Sequence, residues 1–97
     1  MHTYVILRRD GWRTAEDLAR AAERSKAAGE DMPDEIRWIR SYVTEEPSGT
    51  LGTVCIYQAT SPEALRRHAG TADLPASEII QVADTVIVRP DPIGVPA

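Results

Sequence analysis

Phenylalanine is absent from this chain, cysteine occurs once and histidine only twice. A single thiol, Cys55, cannot close an internal disulfide, so the fold must rest on packing and hydrogen bonds, which suits a reducing compartment. His2, His68 and Cys55 form no HxxxH, HxH or CxxC spacing, and the short-range signatures of a metal centre are missing. No apolar run is long enough to span a membrane. The opening residues MHTYVILRRDGW place their charges after a short apolar stretch rather than before it, against the pattern of a secretory signal. Eleven basic residues are scattered among fifteen acidic ones for a net charge of -4. That distribution lacks the basic face that a phosphate backbone selects, so neither nucleic acid nor membrane is an expected partner. The expected location is the cytoplasm. The lack of phenylalanine has no physical explanation in the sequence.

What remains is an ordinary mixture of apolar and charged residues, 97 in all, the size of one domain with one core. Thr3 to Arg9 is β-rich and runs into Asp10-Gly11, which predicts a first strand ending in a turn. From Thr14 the apolar period becomes helical: Ala15, Leu18, Ala19 and Ala22 share one face, Thr14 is the expected N-cap, and Gly29 is the expected left-handed terminus. Ile36 to Thr44 returns to β character. Strict alternation there puts Trp38, Arg40 and Tyr42 on one face, with Ile39, Ser41 and Val43 on the other. The stretch EEPSGTLG is a hairpin loop, and Thr53 to Ala59 is a third strand with Cys55 and Tyr57 on a common face. Ser61 caps a second helix, Pro62 opens it, and Leu65, His68, Ala69 and Ala72 form its buried stripe. Glu78 to Val88 reads as a fourth strand, bent near Ala83-Asp84. The domain therefore covers residues 1–89, and residues 90–97 form a proline-rich tail that is ordered only if it lies across another surface.

Strand, helix, strand, strand, helix, strand is the order of the ferredoxin-like α+β unit, a four-stranded antiparallel sheet with both helices on one face. The other face is bare. Trp38, Tyr42 and Tyr57 make it too apolar to stay in water, and two such faces meeting about a two-fold axis would give a homodimer, barrel-like, with a pocket at the sheet.

The residues WIRSYVTEE, VCIYQATSPEALRRHAG and LPASEIIQV resemble the small bacterial family catalogued as a domain of unknown function, number 4242, also described as nickel-binding. The likeness runs from about Tyr4 to Val82, with most weight on Ser41-Tyr42-Val43, Cys55-x-Tyr57-x-Ala59, His68-Ala69 and Leu74-Pro75-Ala76. It implies a ferredoxin-like fold, a homodimer and binding of nickel or another divalent transition metal, with no established reaction. The chain departs from the family pattern in its first strand, where Ile6, Leu7 and Arg8 stand in place of a frequent acid or histidine. It departs again at Asp73, a position often occupied by glycine.

His68 is the candidate metal ligand, although a histidine on an apolar helix stripe also reads as a hydrogen-bonded core residue. Trp38, Arg40, Tyr42, Cys55 and Tyr57 are the candidate ligand-binding group, able to recognise a small anion or aromatic molecule. Read otherwise, the tyrosines are interface packing and Cys55 a small apolar filler. Glu45-Glu46 and Arg66-Arg67 read as solvated. Two functions follow: a binding protein for a metal or small ligand, or a small dimeric enzyme with an organic substrate at the sheet.

Overall fold

The structure, a computed structural model, describes residues 1–92. Strands β1 (His2–Trp12), β2 (Ile36–Glu45), β3 (Leu51–Ala59) and β4 (Glu78–Gln81) alternate with helices α1 (Ala15–Glu30) and α2 (Pro62–Ala72) in the ferredoxin-like order. The antiparallel sheet has the strand order β2-β3-β1-β4. Both helices cover one face, whose inward residues Tyr4, Ile6, Cys55, Tyr57 and Ala59 form the core with Ile36, Ala64 and Leu65. No helix among the described residues is long and apolar enough to cross a membrane.

Both helices begin as the sequence requires. The Thr14 hydroxyl accepts from the Asp17 amide, the Ser61 hydroxyl accepts from the Ala64 amide, and Pro62 occupies the first turn, where its missing N–H leaves no bond unmade. Asp73 ends α2 in the left-handed conformation, φ 54°, and the amide of Leu74 donates back to the Ala69 carbonyl.

Three expectations are corrected, and the buried stripe of α1 is located. β1 does not turn at Asp10: Asp10 adopts φ 49°, its carboxylate accepts from the Ser48 and Thr50 hydroxyls, and the result is a bulge that carries the strand on to Trp12 opposite Leu51. Gly29 does not terminate α1, which continues to Glu30 and is capped by Asp31 in a right-handed conformation. The buried residues of α1 are Ala21, Ser25 and Ala28, which lie on a different stripe from Ala15, Leu18, Ala19 and Ala22. β4 is shorter than expected and stops at Gln81, opposite Tyr4. Val82 still donates to the Thr3 carbonyl, the last bond of the ladder, and residues 83–88 form no strand.

The chain beyond β4 crosses the helix-free face instead. Asp91 reaches β2 at the far edge of the sheet, where its carboxylate accepts from the Tyr42 hydroxyl at 2.8 Å and pairs with Arg40 at 2.8 Å. The tail expected at 90–97 thus begins with this contact, and residues 93–97 lie outside the described ones.

β1 and β3 approach closely at Gly52. A Cβ there would sit 2.7 Å from the Arg8 carbonyl oxygen and closer still to the Glu46 carboxylate. Gly52→Ala is therefore expected to destabilise the fold by about 1–3 kcal/mol, since backbone cannot give way as a flexible side chain can. Gly70→Ala, a helical position with nothing within 4 Å, should be neutral or stabilising by up to about 1 kcal/mol. Urea unfolding of the two variants checks both signs.

Candidate functional site

The small residues on the buried stripe of α1 let it approach α2, and Arg24 clamps the pair by donating from Nε to the Ala72 carbonyl at 2.8 Å. Drawn toward α2, α1 leaves its Ala15, Leu18, Ala19 and Ala22 face without a partner over strands β2 and β3. The gap is a cavity of about 300 Å³, lined on the helix side by those four residues with Ala21 and Ser25, and elsewhere by Trp12, Val43 and Thr53 among others. A second cavity of about 560 Å³, toward Pro33, Ile36 and His68, shares Ser25, Trp38 and Tyr57 with the first. The two are halves of one cleft along the β2 side of the sheet, divided where the Trp38 indole stacks on Tyr57 with 6.1 Å between ring centroids and 5° between planes. Both tryptophans of the chain line this cleft.

The expected grouping of five binding residues is split between the two faces. Opposite β3, Trp38 pairs with Tyr57, but the next pair is Arg40 with Ile56. Ile39 is an extra residue, a bulge that reverses the phase of everything after it. Trp38, Cys55 and Tyr57 consequently belong to the helix side with the cleft, together with Ser41 and Val43, which alternation alone had placed opposite Trp38. Arg40 and Tyr42 belong to the helix-free face and hold the C-terminal segment. The Trp38 indole N–H donates to the Ser41 hydroxyl at 2.8 Å, a bond that the bulge makes possible.

At the inner end of the cleft, polar groups gather around Tyr57. Its hydroxyl lies 3.0 Å from Ser25 Oγ, and burial pushes its pKa above the ordinary phenol value, so it is a protonated donor at neutral pH. Cys55 is buried and its thiol donates to Thr53 Oγ1 at 3.3 Å. His68 is fully enclosed, with Nε2 2.9 Å from the Ser25 carbonyl oxygen. A carbonyl only accepts, so Nε2 carries the proton and the unprotonated Nδ1 is left without a partner. Of the other acidic and basic pairs, Glu46 accepts from the Thr44 hydroxyl, Glu45 is exposed, and Arg66 and Arg67 make surface ion pairs with Glu63 and Glu35.

The residue that sequence reasoning missed is Arg8. It alternates inward with Tyr4 and Ile6, is 2% exposed, and donates from Nη1 to the Pro75 carbonyl at 2.6 Å. Its place on the same face as two large apolar residues was a legible signal.

Burial holds the pKa of His68 below its ordinary value near 6.5, with the Arg8 charge adding to the effect and the Ser25 bond opposing it. The unfolded chain takes up a proton near 6.5 and the folded chain only at lower pH. The contribution to stability is thus complete above 6.5 and is lost as pH falls through the window below it. His68→Asn should cost about 1–2 kcal/mol at neutral pH through lost packing and an ill-matched polar group. It should also flatten the fall in Tm between roughly pH 7 and pH 5. Thermal unfolding of both proteins across that range provides the check.

A ferredoxin-like α+β domain with an apolar cleft between one helix and its sheet is the class that these features define. The chain belongs to the family described as nickel responsive protein SCO4226-like, whose model matches residues 4–82. Among solved structures it is similar to SCO4226 from Streptomyces coelicolor A3(2), at 20% identity and a TM-score of 0.68, with 87% of this chain and 99% of that one covered. At that identity the likeness establishes the fold. Among curated proteins none matches.

Proposed function

We propose that this protein binds a small organic ligand in the cleft between α1 and strands β2 and β3. The observation that supports this reading is the apolar face of α1, which is held over the sheet without packing on it. Folding normally closes such a gap, because apolar surface that could be buried is buried. A concave, mostly apolar cavity with a few convergent polar groups is the usual form of a small-molecule site. Trp12 and Trp38 line it, so intrinsic fluorescence reports occupancy. Titration with 1-octanol or p-cresol should give a saturable change in emission and a rise in Tm. No saturable change and no rise would contradict the reading.

Binding fits the site better than catalysis does. The proton on His68 Nε2 is committed to a carbonyl, so that nitrogen cannot take one from Ser25 Oγ, 3.5 Å away. Cys55 has a hydroxyl rather than a base beside it.

Nickel is the second reading, and the family description favours it. Imidazole and thiolate are suitable donors for that metal. Here, however, the unprotonated Nδ1 of His68 is a single donor, the Cys55 thiol is engaged with Thr53, and no three His, Cys, Asp or Glu side chains converge among the described residues. The donors within one chain do not fit a nickel centre. Calorimetric titration of the metal-free protein with nickel should show no saturable heat at simple stoichiometry; a stoichiometric isotherm would transfer the function to the metal.

We further propose a homodimer formed through the helix-free face. Val86, Ile87 and Val88, on the segment crossing that face, are 86%, 78% and 80% exposed, and a contiguous apolar run of this kind marks an interface. Light scattering at micromolar concentration should return twice the 10.7 kDa chain mass, and the mass of one chain would contradict the proposal.

A further inference from the structure

Among the described residues Arg8 is the one charged side chain enclosed in the core. Their ion pairs each have at least one exposed partner, and none gives Arg8 a counter-ion. Nη1 is bonded to the Pro75 carbonyl, and Nη2 is buried with no partner. A guanidinium does not shed its proton on burial, as a lysine or histidine can, so the charge persists. An enclosed charge without a partner is among the costliest arrangements in a fold, and it is tolerated where something else supplies the opposite sign.

The position of Arg8 identifies where that opposite sign would come from. In the sheet it stands directly opposite Thr53, whose side chain lines the cleft. Arg8 itself lines neither cavity; its charge lies behind Tyr57 and His68, where it lowers the pKa of both, an effect smaller than that of burial. No charged residue of either sign lines the smaller cavity. The larger one has Lys26 and Arg37 against Glu30, an excess of positive charge. An anion beside Ser25 and Tyr57 would therefore meet the one hydroxyl proton that this bonded pair leaves free, in a medium of low dielectric and, on the side of the smaller cavity, with no carboxylate to repel it.

We infer that the cleft takes a small organic acid, with its apolar body along the Ala15, Leu18, Ala19 and Ala22 wall of α1 and its acidic group at the Ser25–Tyr57 end, where Arg8 is the counter-ion. This rests on the cleft being a ligand site. Within that reading Arg8 selects charge, while the helix wall selects shape and apolarity.

A matched pair of probes, octanoate and 1-octanol, separates the two claims. They share an apolar chain and differ in charge, and binding of each is followed by tryptophan fluorescence. The wild-type protein should bind octanoate at least tenfold more tightly than octanol. Arg8→Met should abolish that preference by weakening octanoate binding at least tenfold, and Arg8→Lys, which keeps the charge, should retain part of it. Without ligand, Arg8→Met should have an unchanged or higher Tm, since it removes a charge that the apo fold leaves uncompensated. Equal affinity of the wild type for both probes would overturn the inference and leave the cleft standing, with Arg8 serving only to hold the Pro75 carbonyl. Failure of both probes to bind would remove the cleft itself. A preference that survives Arg8→Met would overturn the role of Arg8. Should Arg8→Met not fold, the wild-type comparison of acid with alcohol still decides the matter.

Discussion

Tyr57→Ala should be the most damaging single substitution near the cleft, lowering stability by about 3–5 kcal/mol, the range for truncating a buried aromatic ring. Tyr57 is 1% exposed and belongs to the core, yet it is also the floor of the cleft. Its ring supports Trp38 on one side and meets His68 at 5.5 Å on another. Tyr57→Phe keeps the ring and removes only the hydroxyl, leaving Ser25 Oγ to relax, and should cost about 1–2 kcal/mol. The comparison divides the role of the residue in two: urea unfolding reads the packing lost with the ring, and octanoate affinity reads the donor lost with the hydroxyl. The phenylalanine variant should bind octanoate at least several-fold more weakly while remaining folded.

Ala22→Phe should produce the opposite combination. Ala22 is half-buried on the apolar wall of α1, facing open cleft rather than packed atoms. A benzyl group added there grows into space that already exists, so no strain follows and the Tm should be unchanged or raised. The occupied volume should reduce the affinity of any cleft ligand by at least tenfold. Ala28→Phe is the contrasting substitution on the same helix. Ala28 is 5% exposed and buried, so overpacking should cost about 1–3 kcal/mol. If Ala22→Phe proved as destabilising as Ala28→Phe, the gap between α1 and the sheet would not exist in solution.

The element order, both helix caps and the buried stripe of α2 were legible because each rests on local chemistry: a hydroxyl before a helix, a proline in its first turn, apolar residues at helical spacing. The faces of β2 were not. Alternation has no error correction, and a single bulge at Ile39 reassigned every later residue, moving Ser41 and Val43 to the cleft side and leaving Arg40 and Tyr42 on the other. The length of β4 was illegible for a different reason. EIIQVADTVIV has β character throughout, but a strand needs a neighbour, and where the pairing with β1 ends is not encoded in β4. The apolar stripe of α1 was legible as apolar, but what it faces was not. Periodicity reports what a face is made of, whereas its occupant depends on how closely α1 approaches α2.

The most direct test of the central claim is a two-dimensional NMR titration of the protein with octanoate, following backbone amides and the two indole N–H groups. The account predicts saturable shifts in the indoles of Trp12 and Trp38 and in the amides of Ala22, Ser25 and Tyr57, with Arg40, Tyr42 and the segment around Asp91 unaffected. Saturable shifts confined to Arg40 and Tyr42, or none at any residue lining the cleft, would contradict it.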